Sequence, residues 1–309
     1  MTALDAIIIG IVEGITEYLP VSSTGHIILA QRALGIPEGE TANAFAVVIQ
    51  AGAILAVLGL YFQRVKGMAL GLLGKNQEGL MLVRNLLLAF IPAAVVGLLF
   101  KKKIEAHLFN LWSVTAAWFV GGVAILAVAW FRRGGTHRSR GEGLSLAQIT
   151  PKIAVFIGLM QCVAMWPGTS RSLMTIVGAL LAGLSITAAL EFSFLLGMIT
   201  LSAASLKEGW EYRHELFTGD MRLPMLIGLA AAWVSAVLAV KWLVGFLQKR
   251  GITPFGYYRI ALAIVVAGLL LANKLSPAIE HKPAKDKAHA SLPAPAAPAL
   301  AVLGTGGAR

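Results

Sequence analysis

The chain has 309 residues, 57% of them hydrophobic and only 13% charged, with a mean hydropathy of +0.77. Such a composition excludes an ordinary soluble domain and places the protein in a bilayer as a multi-pass chain. The formal charge of +11 does not call for nucleic acid, because Lys and Arg sit in short segments between apolar runs and in the tail, where anionic headgroups account for them.

In chain order, the first apolar region covers residues 1–34 and is interrupted at Pro20 and Gly25. It carries Asp5 and Glu13, with no basic n-region, so it does not read as a removable signal peptide. Spans of about 20 residues follow at 44–62, 82–100 and 111–131. A second interrupted region, 154–184, breaks at Pro167 and Gly168, and three further spans run at 189–206, 223–247 and 255–272. Residues 276–309 are rich in Ala, Pro and Lys and predict a disordered tail after a membrane domain of residues 1–275. The lone Cys162 excludes an intrachain disulfide and lacks the spacing of a zinc site.

The two halves, about 1–147 and 148–275, look like copies. Gly10 and Gly158, and Glu13 and Gln161, are offset by 148 positions; Pro20 and Pro167, Ser23 and Ser170, Phe45 and Phe192, and Gly121 and Gly268 are offset by 147. One broken pair plus three spans gives each copy an odd number of crossings, so the second copy enters from the opposite face. The predicted fold is therefore an all-α membrane protein with six transmembrane helices and two broken or re-entrant pairs in an inverted repeat. Irregular backbone at membrane depth is tolerated only against protein or a watery cavity, so both breaks should line one buried chamber.

The segment EGITEYLPVSSTGH gathers Glu13, Glu17, Ser22, Ser23, Thr24 and His26 in otherwise greasy sequence, and polar groups at membrane depth mark functional sites. After Pro167 come Thr169, Ser170, Arg171 and Ser172. Both stretches read as helix starts capped by hydroxyls, and free N–H groups, hydroxyls and one guanidinium make a receptor for phosphate. Glu13 and Glu17, four residues apart on one helix face, must share a proton, pair with Arg171 or bind a divalent cation. Three residues beyond Ser23, the His26 imidazole can turn toward that hydroxyl as general base, or act as nucleophile itself.

These residues carry a resemblance. EGITEYLPVSSTGH and QCVAMWPGTSRS resemble the two signature segments of the bacterial undecaprenyl-diphosphatase family, also called bacitracin-resistance proteins, and FAVVIQAGAILAV and EFSFLL extend the likeness over about residues 4–272. The resemblance implies hydrolysis of undecaprenyl diphosphate to undecaprenyl phosphate and inorganic phosphate in the bacterial inner membrane. That reaction recycles the lipid carrier of cell-wall synthesis and confers bacitracin resistance. Catalytic weight then falls on Glu13, Glu17, Ser23, His26 and Arg171, with Ser22, Thr24, Ser170 and Arg171 on phosphate. Glu13 and Glu17 are the candidate holders of Mg2+ or Ca2+, and no organic cofactor is expected. The family segment usually runs SRSGAT, whereas Leu173 and Met174 stand here between Ser172 and Thr175, putting leucine at a usual glycine beside Arg171.

The alternative is an alternating-access transporter of polyprenyl phosphate or ions, built from the same inverted repeats and intramembrane carboxylates. An acid-phosphatase reading is weaker, because no histidine follows Arg171 at the spacing it needs and no matching lysine and arginine segment precedes. By the positive-inside rule, the loops near Arg64, Lys66, Arg132, Arg133, Arg138, Arg140, Lys249 and Arg250 are cytoplasmic, leaving both termini and the site on the outer side.

Overall fold

The computed structural model describes residues 1–37, 39–134 and 143–279, and its regular structure is helical throughout. In chain order the helices are α1 (Ala3–Thr16), α2 (Ser23–Ala33), α3 (Glu40–Leu60), α4 (Phe62–Leu72), α5 (Gln77–Leu108) and α6 (Leu111–Gly134). Then come α7 (Pro151–Val163), α8 (Arg171–Leu181), α9 (Ile186–Glu211), α10 (Arg213–Phe217), α11 (Arg222–Arg250) and α12 (Thr253–Leu271). Six of these, α3, α5, α6, α9, α11 and α12, are long and apolar enough to cross a membrane. The protein is an all-α, multi-pass membrane protein with the six spans that its apolar runs predict. Pairs α1–α2 and α7–α8 are the two interrupted segments. Most of the predicted tail, from residue 280 onward, and the loop arginines Arg138 and Arg140 lie outside the described residues.

Contacts between chain ends assign the helices to two faces. On one face, Arg32 at the end of α2 donates to the carbonyls of Ser276 and Ala278, both at 2.5 Å, and the Leu111 amide at the start of α6 donates to Pro277 at 2.9 Å. On the other face, Leu144 after α6 pairs with Gly183 after α8, and Arg64 after α3 pairs with Glu191 near the start of α9 at 2.5 Å. Each pair therefore returns to the face it entered from, α1–α2 from the first and α7–α8 from the second. Helices α7–α12 repeat the order of α1–α6 in inverted sense, down to a short helix, α4 or α10, between the first two spans of each half. Phe45 and Phe192, at matching positions of the copies, are both wholly buried.

Helix α1 starts with a capping box. Thr2 accepts from the Asp5 amide at 3.1 Å while Asp5 accepts from the Thr2 amide at 2.8 Å, and this backbone hydrogen bond is the main reason the Asp5 carboxyl lies below its ordinary range. The buried face of α1 carries Ala6, Ile9, Gly10, Glu13 and Gly14, and it packs along α11. Gly10 and Gly14 permit this approach, since an added Cβ would lie 2.5 Å from the Gly228 carbonyl or 2.1 Å from the Ser235 hydroxyl. Small residues one turn apart are how helices pack closely inside a membrane, where burial of apolar surface gives little drive.

Two features go beyond the sequence reading. Residues 62–72, read as part of a connecting turn, form α4, whose Met68 and Gly71 are buried against α5. Eleven residues cannot span a bilayer, but an amphipathic helix can lie along its surface. Helix α5 also continues past its predicted end at residue 100 through the Lys101–Lys103 run to Leu108. Lysine is a good helix former whose long stem reaches the interface from an apolar helix, so the charge does not end the helix.

Candidate active site

Both breaks end on a serine with positive φ. Glu17 closes α1, four residues follow, and Ser22 adopts φ 74° before α2 starts at Ser23; Ser170 adopts φ 79° before α8 starts at Arg171. A left-handed serine costs roughly 1–3 kcal/mol and persists only where its surroundings fix it. Around the first break they do, because four successive carbonyls each receive a side-chain donor. Leu19 accepts from the Ser172 hydroxyl at 3.0 Å, Pro20 from Arg259 at 3.3 Å, Val21 from the Trp118 indole at 3.0 Å and Ser22 from His26 Nδ1 at 2.7 Å. The chamber predicted from the two interruptions thus has main chain paired with side chains of α2, α6, α8 and α12.

At its centre is Glu17, 7% exposed. Its Oε2 accepts from the Ser23 hydroxyl at 2.5 Å and its Oε1 from Arg171 Nη2 at 2.8 Å. One carboxylate therefore joins the hydroxyl at the first helix tip to the guanidinium at the second. Arg171 also donates through Nη1 to the Ser193 carbonyl at 3.0 Å, and its Cζ lies 5.9 Å from the ring centre of Tyr18. Gly197 on α9 makes room, since a Cβ there would lie 1.9 Å from Nη1. Leu173, at the family's usual glycine, is fully buried in the core, and Arg171 still reaches Glu17 beside it.

The remaining candidates are placed differently. Glu13, one turn before Glu17, is wholly buried, and neither carboxylate oxygen has a hydrogen-bond partner among the described residues. The same holds for both polar atoms of Gln161, its counterpart in the second copy, for the Thr169 hydroxyl and for Arg171 Nε. Buried polar groups left this way are what a charged ligand satisfies. Ser170 caps α8 by accepting from the Leu173 amide at 3.2 Å and lies 2.9 Å from the Ser172 hydroxyl, while Ser22 contributes its backbone turn. Thr24 is exposed to a cavity of about 510 Å3 that opens on the face of the termini between α2, α3 and α9, with Gln31, Glu40, Asn43, Lys207 and Tyr212 among its walls.

His26 does not turn toward Ser23. The Ser22 carbonyl can only accept, so Nδ1 bears a proton, and Nε2 lies 2.7 Å from the Tyr258 hydroxyl. The imidazole stacks on Tyr258 at 5.8 Å and meets the edge of Trp118 at 5.6 Å. Ser23 is three residues away on the same helix but has Glu17 as its acceptor. Ser172, one of the hydroxyls read after Pro167, donates to Leu19, and Trp118, Ser193, Gly197, Tyr258 and Arg259 complete the site without having been singled out from the sequence. Only Arg259 carried a signal there, as a lone cation within an apolar run.

A family profile described as bacitracin resistance protein BacA matches residues 6–265. The chain belongs to that family. It is 44% identical over 263 residues to undecaprenyl-diphosphatase 2 of Rhodospirillum rubrum, covering 85% of this chain and 93% of that relative. It is 42% identical over 266 residues to the undecaprenyl-diphosphatase of Sorangium cellulosum, covering 86% and 85% of the two chains. The undecaprenyl-diphosphatase of Pseudomonas syringae pv. tomato is 43% identical over 265 residues, covering 86% and 93%. These BacA-family relatives bear the names of phosphatases, which favours hydrolysis over the transporter alternative.

Proposed function

We propose that the protein hydrolyses undecaprenyl diphosphate to undecaprenyl phosphate and inorganic phosphate, recycling the carrier of cell-wall synthesis and so conferring bacitracin resistance. The observation that carries the chemistry is the Ser23–Glu17–Arg171 chain, in which a hydroxyl already donates to a carboxylate that a guanidinium holds in place. Ser23 is the nucleophile and Glu17 its base. A P–O bond forms at Ser23 Oγ, its proton passes to Glu17, and the bond from the terminal phosphorus to the bridging oxygen breaks, releasing undecaprenyl phosphate. Water then attacks the serine phosphate, restores the hydroxyl and releases inorganic phosphate. Arg171 and the amides at the starts of α2 and α8 offset the charge that develops on phosphorus-bound oxygen, with Ser22, Thr24 and Ser170 around them. His26 holds the first tip rather than taking the proton.

The unpaired oxygens of Glu13 fit a divalent cation, Mg2+ or Ca2+, which would shield the diphosphate charge. Among the described residues no group of three or more His, Cys, Asp or Glu could hold a metal, so substrate oxygens would complete its ligands. An apolar groove of about 620 Å3 between α1 and α11, lined by Ile11, Ile15, Leu19, Val234, Leu238 and Trp242, suits the polyprenyl chain. Arg64, Lys66, Lys249 and Arg250 lie on the face away from the termini, which supports a bacterial inner-membrane protein whose site opens outward. Purified protein mixed with undecaprenyl diphosphate should release inorganic phosphate, and Ser23→Ala should not. A folded wild-type protein that releases none would overturn the reading.

A further inference from the structure

The charge in the middle of α12 has no part in the chemistry above. Arg259 is wholly buried and donates only to backbone carbonyls: Nη1 to Pro20 at 3.3 Å, Nη2 to Gly168 and Ala117 at 2.9 Å each, and Nε to Trp118 at 3.3 Å. Pro20 and Gly168 each lie two residues before a left-handed serine, Ser22 and Ser170, from which α2 and α8 start. One side chain thus grips both breaks and fastens them to α6. All four acceptors are neutral, and desolvating an unpaired cation is expensive, so the fork is retained for something hydrophobic packing would not supply. Helix α6 leaves space for it at Gly121, where a Cβ would lie 2.4 Å from Nη2.

We propose that Arg259 is a positioning residue that keeps the two helix tips in register, and so sets the approach of Ser23, at the start of α2, to Arg171, at the start of α8. The inference rests on the phosphatase reading above. Its physical basis is that a rigid planar fork spans two separate turns, whereas a point charge or a single donor spans one. A residue that served stability alone would lower the melting temperature yet leave the folded fraction fully active.

Two variants separate these roles. Arg259→Lys keeps the charge but loses the fork, and Gly121→Ala keeps the arginine but crowds it. With folded protein selected by gel filtration and assayed well below its melting temperature, kcat should fall by about 100-fold in Arg259→Lys, with KM changing less than about threefold, because tip displacement of an ångström has that effect on rate. Gly121→Ala should lower kcat in the same direction. Hydrogen exchange should rise together in segments 17–24 and 165–172 of Arg259→Lys, a coupled change that is measured without substrate. Turnover within about threefold of wild type in both folded variants, or faster exchange in α12 alone, overturns the proposal. A wild-type protein that releases no phosphate would count against the phosphatase reading instead, and the exchange measurement would still decide whether Arg259 couples the tips.

Discussion

Ser23 and Glu17 face each other across the first break, hydroxyl to carboxylate at 2.5 Å, with the second carboxylate oxygen taken by Arg171. Glu17→Gln keeps the shape of this carboxylate and removes its basicity. Phosphate release should fall by about 10²–10⁴-fold, the usual contribution of a general base. Thermal unfolding would show whether the variant stays folded, and near-normal turnover would remove Glu17 from that role.

Gly197 offers a way to move Arg171 without deleting it. A methyl group at Gly197 collides with Nη1, so Gly197→Ala should lower phosphate release by about 100-fold. Arg171→Ala removes the guanidinium and leaves Glu17 buried without its cation, a loss of about 3–5 kcal/mol in stability. The first variant should therefore lose activity with a smaller shift in melting temperature than the second.

Tyr258 and His26 support the turn from outside. Tyr258→Phe deletes one hydrogen bond, worth about 1 kcal/mol, and should slow turnover by about fivefold. If Ser23 is the nucleophile, phosphoprotein trapped by a rapid quench should survive acid. A label lost in acid would move the phosphoryl group to His26.

Glu13 has two free oxygens at the level of Glu17, so its charge should govern cation use. Chelation should abolish wild-type turnover, and added Mg2+ or Ca2+ should restore it. Glu13→Gln should need more of either ion to reach half-maximal rate. Full activity of the wild type in excess chelator would separate the carboxylate from any metal.

Gly14→Leu should destabilise the protein without touching the chemistry. The new side chain would press α1 from α11 against backbone, and overpacking of this kind costs about 1–3 kcal/mol or more. A lowered melting temperature in detergent measures it.

Much of this architecture is legible in the sequence because the bilayer imposes length. Runs of about 20 apolar residues can only be spans, and Pro20 and Pro167 interrupt regions that would otherwise be spans too. The pairing of Glu17 with Arg171 is legible for a related reason, since a carboxylate and a guanidinium at membrane depth need each other. The orientation of His26 is not. Spacing of three residues allows its ring to meet Ser23, but the ring is captured by Tyr258, 232 positions away, and by its own turn's carbonyl. Helix α4 escapes notice because a short amphipathic stretch gives neither a span's hydropathy nor a strong turn signal. Arg259 stands out as a single charge in YYRIALAIVV, yet its acceptors are carbonyls, which every residue has and no pattern reveals.

The ion pair between Glu17 and Arg171 joins the first half of the chain to the second, and this makes the enzyme indivisible. Two first halves assembled as a symmetric dimer would bring together hydroxyls and carboxylates with no guanidinium to oppose them. Two second halves would offer guanidinium groups with no carboxylate opposite them, because Gln161 stands in the place of Glu13 and the place of Glu17 falls on Ala164 or Met165. Each half thus supplies what the other lacks, the hydroxyl and its base from one and the guanidinium from the other.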